Sequence, residues 1–224
     1  PLISYHRHNE DIKTDFLIQK VLNGENIAIV TDAGTPGISD PGEEIVKEAI
    51  KNNIDIIPIP GACALINAII ASGLNTKQFT FYGFLPLNKK LRKKSFEKIK
   101  KENKTIIIYE APHKINKTLN DILENIGDIN CVIAKELTKI HEEFFRGKIS
   151  EIINVLNEPK GEYIILLDLN KEDEEENCEI ENMTEEEQYE FYEKQGLSKK
   201  EIIKTIAKNK NVNKNEIYQM FIDK

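Results

Sequence analysis

Carboxylates, lysines and a histidine gather at two places where an apolar run ends. YEAPHK (109–114) closes the run TIII with Glu110, His113 and Lys114, and AKELTK (134–139) closes NCVI with Lys135, Glu136, Thr138 and Lys139. Such groups move protons when they stand in a cleft within hydrogen-bond reach of a substrate. One alone reads as a cap or a surface residue, whereas seven on two neighbouring loops mark a candidate site. Two further loops suit a ligand. TDAGTPGISDPG (31–42) and PGAC (60–63) each follow an apolar run directly, and their glycines let the backbone approach a flat or extended molecule with no Cβ in the way. Asp32, the early carboxylate of the first, either accepts from ligand hydroxyl or ammonium groups or closes an Asx turn. Neither loop carries G-x-x-x-x-G-K-[ST] or G-x-G-x-x-G, so phosphate-cradle and dinucleotide readings find no support. His6 and His8 stand two residues apart with no third ligand beside them, and no metal site is expected.

Elements that position these loops can be read from periodicity. A helix is predicted over 11–22, with Ile12, Phe16 and Leu17 on one side and Asn23-Gly24 as its stop. NIAIV (26–30) reads as a strand entering the first loop. A helix should begin at Asp40, where Pro41 and Glu43 complete a start signal, and bury Ile45, Val46, Ala49 and Ile50. IDIIPI (54–59) reads as a second strand, followed by PGAC and a helix through Ala71. Two strand-loop-helix units in succession imply a parallel sheet, whose ligand crevice lies at the strand C-termini.

After Gly73 the pattern restarts with the strand FTFYGFLP (79–86) and a lysine-rich helix. Strands at TIIIYE, NCVIAKEL and EYIILLDL follow, with a helix presenting Ile115, Leu119, Ile122, Leu123 and Ile126 and another over Ile149 to Leu156. The expected organisation is an N-terminal α/β domain (1–77), a C-terminal α/β domain (78–170), an acidic linker (171–184) and a helical module (185–224). The module's helices are placed near 185–194, 198–208 and 213–222.

The net charge of −7 argues against a nucleic-acid partner only until its distribution is seen. Twelve acidic residues and no lysine or arginine lie between Glu172 and Glu193; setting them aside leaves 31 basic residues against 26 acidic ones. Between Lys89 and Lys104 nine basic residues meet only Glu97 and Glu102, and eight more follow from Lys194 onward. Both stretches suit phosphates or simply form solvated faces. No apolar run has the roughly 18 to 20 residues of a spanning helix, and Cys63, Cys131 and Cys178 form neither a C-x-x-C pair nor a disulfide framework. A reducing cytoplasm is the expected location.

In order, SYHRHNE (4–10), TDAGTPGISDPG, PGACA, FYGFLP, YEAPHK and AKELTK resemble the tetrapyrrole methylase superfamily. Within it they are similar to the bacterial branch that methylates the 2′-hydroxyl of a cytidine in 16S ribosomal RNA. TDAGTPGISDPG is distinctive of that branch, since the tetrapyrrole-modifying branch carries a loop with a G-D-P core there. LSKKEIIKTIAKNKNVNKNEIYQMF (197–221) looks like the branch's C-terminal helical module. The resemblance implies two α/β domains with S-adenosylmethionine in the cleft between them, and no metal. It implies cofactor contacts, mostly through backbone, at Asp32, Thr35, Cys63, Ala64, Glu110 and Leu137. It also implies a first strand with a glycine loop ahead of SYHRHNE, which this sequence does not contain, a homodimer, and ribosomal RNA or the small subunit as partner.

Methyl transfer to a ribose hydroxyl needs positioning, a dry cleft and a group that takes or loosens the hydroxyl proton. Glu110, His113, Lys135 and Glu136 are the candidates, with the Glu110 and Lys135 neighbourhood favoured. Two rival readings are a methyltransferase of small tetrapyrroles, which gives no reason for a basic terminal module, and a non-catalytic RNA-binding protein.

Overall fold

The computed structural model describes residues 1–32, 34–156, 160–170, 180 and 182–221. Two compact units divide the chain, Pro1–Leu169 and Asn170–Lys224. The expected division at 77/78 falls inside the first, and most of the expected linker, 171–179 and 181, lies outside the described residues.

One mixed sheet organises the first unit. Its strands are β1 (Phe79–Phe84), β2 (Thr105–Glu110), β3 (Asn130–Lys135), β4 (Glu143–Lys148) and β5 (Tyr163–Asp168), in the order β1-β2-β5-β3-β4. β1 and β2 are parallel, while β5 runs antiparallel to β2 and β3, and β4 antiparallel to β3. The isoleucine-rich strands suit burial on both faces. On one face Ile106, Ile108, Ile133 and Ile165 pack against Phe96 and Ile99 of α4 (Lys89–Ile99), Leu119 and Ile122 of α5 (Ile115–Asn125), and Ile152 of α6 (Ile149–Val155). On the other, Ile107, Val132, Ala134, Ile164 and Leu166 meet Leu65, Ala68 and Ile69 of α3 (Ala64–Ser72).

Strand β4 was not expected from the sequence. EFFRGK has one apolar pair and three charges, but its Arg146 reaches across to donate to the carbonyls of Ala71 (2.7 Å) and Ser72 (3.3 Å), closing the C-terminus of α3. The strands expected at 26–30 and 54–59 are not formed. Neither segment has a ladder partner among the described residues, and Val30, Ile57 and Ile59 stand exposed along them.

Helix α1 (Glu10–Leu22) packs on α2 (Glu43–Lys51) through Leu17, Ile18, Ile45 and Ala49. The buried face of α1 is therefore Thr14, Leu17 and Ile18, three and four residues apart, and the expected Ile12 and Phe16 face solvent. Val46 and Ile50 of α2 are likewise exposed. Helix α2 starts at Gly42 rather than Asp40, because Ser39 (φ 65°) and Gly42 (φ 146°) redirect the chain and the Gly42 amide donates to Glu10 Oε1 (3.2 Å).

The second unit holds α7 (Glu185–Lys194), α8 (Lys199–Asn209) and α9 (Lys214–Met220) around Tyr189, Ile202, Ile206, Ile217 and Phe221. Capping boxes at Thr184/Glu187 and Ser198/Glu201 start α7 and α8. Among the described residues no helix is long and apolar enough to cross a membrane.

Candidate active site

A cavity of about 440 Å³ lies within the first unit, where the glycine-bearing loops meet the ends of β2, β3 and β5. Gly34, Thr35 and Ser39 of the first loop, Cys63 and Ala64 of the second, Tyr109 to Pro112, and Leu137 to Lys139 all line it. The volume falls within the range of roughly 300–1,000 Å³ usual for small-molecule sites.

Side chains outside the loops fix their shape. Thr35 Oγ1 donates to the carbonyl of Ala62 (2.9 Å), joining the first loop to the second, and Arg7 Nη2 donates to the carbonyl of Ser39 (2.7 Å). SYHRHNE thus braces the first loop through Arg7 and Glu10, a role that two histidines in its centre had obscured. His6 Nε2 faces Asn9 Nδ2 at 3.0 Å, and the His6 and His8 rings meet edge-on at 6.1 Å.

Tyr109 ties the second loop to the sheet. Its hydroxyl accepts from the Leu65 amide in the first turn of α3 (3.1 Å), and its ring meets Phe81 and Phe84 edge-on at 4.8 and 5.8 Å. Burial, with Cys63 adding to it, pushes the phenol up to about 12, so Tyr109 stays a neutral donor at physiological pH.

Glu110 ends β2 with only 6% of its surface exposed. Its Oε2 accepts from Thr118 Oγ1 (2.6 Å) and its Oε1 from the Ala111 amide (2.9 Å). Thr118 Oγ1 in turn accepts from Arg92 Nη2 (2.7 Å), while Arg92 Nε bonds Asp121 Oδ2 (2.7 Å). A hydroxyl therefore links a buried carboxylate to a cation on α4.

Lys139 and Glu162 also line the cavity, and Glu136, outside the lining, is held by both: its Oε1 accepts from Lys139 Nζ (2.9 Å) and the Glu162 amide (2.8 Å), and Lys139 also pairs with Glu162 (3.0 Å). The Lys139 hydrogen bond, with the Glu162 amide behind it, holds the Glu136 carboxyl below the usual range. Glu136 (φ 50°) and Thr138 (φ 65°) both adopt the left-handed region, which turns Leu137 towards the cavity.

The family model for Tetrapyrrole (Corrin/Porphyrin) Methylases matches residues 4–153. The chain belongs to that family. Ribosomal RNA small subunit methyltransferase I of Bacillus subtilis (strain 168) is 44% identical over 225 residues, spanning 99% of this chain and 77% of that protein. The protein of the same name from Synechocystis sp. (strain ATCC 27184 / PCC 6803 / Kazusa) is 39% identical over 100% of this chain and 80% of its own length. Among solved structures, diphthine synthase (TM-score 0.55, 13% identity, 74% of this chain and 68% of that one) shares the fold of this tetrapyrrole methylase. So does the methyltransferase CobJ (TM-score 0.54, 13% identity, 75% and 73%).

In this tetrapyrrole methylase, Thr35, Cys63, Ala64, Glu110 and Leu137 of the expected site line one cavity. Asp32, His113, Lys135 and Glu136 are not in its lining. Asp32 lies two residues before Gly34, His113 is exposed on a short 3-10 turn (Pro112–Lys114), and Lys135 pairs with Glu143 at 3.4 Å. Sequence reading missed Asn67, Phe84, Tyr109 and Glu162. A helical asparagine and aromatic strand residues read as ordinary packing, and the 157–162 connection carried no motif.

Proposed function

We propose that this chain transfers a methyl group from S-adenosylmethionine to the ribose 2′-hydroxyl of a cytidine in small-subunit ribosomal RNA. The reading rests on identity of 39–44% along essentially the whole chain with proteins named ribosomal RNA small subunit methyltransferase I. It is supported by a cavity into which the glycine-bearing loops and the β2 and β3 ends all open.

The residues present fit the cofactor. Thr35, Cys63, Ala64 and Leu137 would hold it; small and apolar side chains leave backbone groups uncovered, and the Glu110 carboxylate in the wall suits a cationic centre. S-adenosylmethionine, when bound, supplies the electrophilic methyl group. The protein's own task is to hold the hydroxyl in line, exclude water and take up a proton. A carboxylate has about four acceptor positions, and Thr118 and Ala111 occupy two of those on Glu110. We assign the proton to Glu110; Lys135, at the end of β3 with β5 between it and β2, pairs with Glu143 outside the cavity lining and takes no part in this scheme. His113, exposed, and Glu136, held by Lys139 and Glu162, take no proton in this scheme.

RNA would be held by α4. Lys89, Lys90, Lys93, Lys94 and Lys98 are exposed and enter no ion pair among the described residues. Lys89 and Lys90 stand in the first turn, where cations destabilise a helix, so their placement suits an anionic partner better than it suits the fold. We further place the protein in the cytoplasm as a homodimer, which sedimentation velocity tests.

The experiment is to incubate the chain with methyl-labelled S-adenosylmethionine and small ribosomal subunits and to identify the labelled nucleoside by mass spectrometry. 2′-O-methylcytidine from small-subunit RNA is expected. No transfer, or label on a base, overturns the reading, and full activity in Glu110→Gln removes that residue from the mechanism.

A further inference from the structure

Strand β1 contains an irregularity whose outcome is one aromatic ring at the cavity. Phe81 pairs with Ile107 and Gly83 with Ile108, so Tyr82 is an extra residue opposite β2. In a regular strand Phe81 and Phe84, three positions apart, would point to opposite faces. The bulge cancels that. Phe84 comes into register with Tyr109, two residues beyond Ile107, and so shares the face of Phe81, Tyr109 and the cavity. Gly83 makes this possible at φ 61°, and Leu85 then returns to the core. Bulges cost ladder hydrogen bonds and occur where a side chain must be re-aimed.

The re-aimed ring does little for stability. Phe84 remains 55% exposed while lining the cavity. Five residues later α4 begins with its exposed lysines, so at most about 18 Å of chain separates Phe84 from Lys89. A polynucleotide whose phosphates lie on α4 and whose target ribose enters the cavity would have Phe84 within that reach.

We infer that Phe84 is a stacking platform for a nucleobase of the substrate RNA at the entrance of the methyl-transfer cavity. The inference rests on the RNA reading above and adds the residue that positions the target nucleotide. A π-face explains why an aromatic is exposed where a leucine would fill the same space, since stacking works for any base while hydrophobic contact does not orient it.

Phe84→Leu and Phe84→Tyr separate stacking from apolar contact. With small subunits as substrate, the leucine variant raises KM on the order of 10- to 100-fold, the usual worth of one stacked base. The tyrosine variant stays near the parent. Both keep the parent's S-adenosylmethionine Kd by calorimetry and its salt dependence of RNA binding, because no charge changes and the ring serves the acceptor; the leucine variant loses only the edge-on contact with Tyr109, which lowers its thermal midpoint by at most a few degrees. A leucine variant with the parent's KM overturns the inference, and so does one that loses affinity for S-adenosylmethionine, since the ring would then serve the donor. If the parent chain itself transfers no methyl to RNA, the proposed function falls and takes this inference with it. Transfer by the parent with an unaffected leucine variant sinks the stacking role alone.

Discussion

Replacing Thr118 by valine tests the link between α4 and the cavity wall. The side chain is 1% exposed, and its hydroxyl both donates to Glu110 Oε2 (2.6 Å) and accepts from Arg92 Nη2 (2.7 Å). Valine keeps the shape and deletes both bonds. Hydrogen bonds to charged groups are worth about 1.5–3 kcal/mol each. Arg92 retains Asp121 and Glu110 retains the Ala111 amide, so a total near the lower bound for two, about 3–4 kcal/mol, is expected. For a unit of this size that lowers the thermal midpoint by roughly 10 °C. Thr118→Ser keeps the hydroxyl and removes one buried methyl, costing about 1 kcal/mol. Denaturant titration monitored by tertiary fluorescence, with calorimetry for the midpoint, reads both variants. A valine variant that loses less than 1 kcal/mol, or a serine variant as damaged as the valine one, would show that the hydroxyl bridge does not hold Glu110.

Other perturbations address the remaining walls. Gly161 has φ 89°, and a Cβ there would run into the Glu136 carboxylate. Gly161→Ala should therefore displace Glu136 from Lys139 and Glu162 and weaken S-adenosylmethionine binding by about 10-fold, or ~1.4 kcal/mol, in calorimetry; unchanged affinity would show that the cluster does not shape the site. Tyr109 is raised from 10.0 to about 12 by burial, so its contribution is complete below the unfolded value and is lost as pH climbs through the folded one. Stability should fall by on the order of 2 kcal/mol between those limits, and Tyr109→Phe should remove a late-titrating phenol from the tyrosinate absorbance. Lys90→Gln with Lys94→Gln separates like charges four residues apart, so thermal stability should hold or rise slightly. In the same variant the salt slope of RNA binding should shrink by about 0.7–0.9 per lost phosphate contact.

The sequence made some parts of this arrangement readable and hid others, for reasons that differ by residue. Helices α5, α7 and α8 carry local signals, an apolar stripe in the first and capping boxes in the others, and local signals are visible in one dimension. The edge strand β4 has no such signature, since EFFRGK is stabilised by pairing with β3 and by Arg146 on α3. The stretches 26–30 and 54–59 have strand composition but no ladder among the described residues, which shows the limit of composition: a strand needs a partner as well as β-branched residues. At the site, glycine loops announced themselves because backbone freedom is written in residue type. The grouping of Thr118, Arg92 and Glu110 did not, because their separations of 8 and 26 positions follow no period.

Departures from local rules are concentrated where the proposed chemistry lies. The second unit and the α5–α6 face of the sheet obey pattern and capping, and the positive-φ residues away from the cavity, Asn53 and Asn211, are asparagines, the residue type that tolerates that region. Around the cavity, by contrast, Ser39, Glu136 and Thr138 adopt positive φ, β1 is bulged at Tyr82, and lysines crowd the positive end of α4. Each departure costs stability, and each has a geometric consequence that a well-packed alternative would lose. Ser39 presents its carbonyl to Arg7, Leu137 is turned towards the cavity, Phe84 is brought to its lining, and the lysines enter no ion pair among the described residues. Random strain would scatter over the whole chain, whereas selection for one transfer reaction leaves strain beside the donor pocket and along the path of the acceptor. Substitutions that relax these positions should therefore stabilise the chain and slow methyl transfer together, a coupling that packing defects elsewhere in the sheet would not produce.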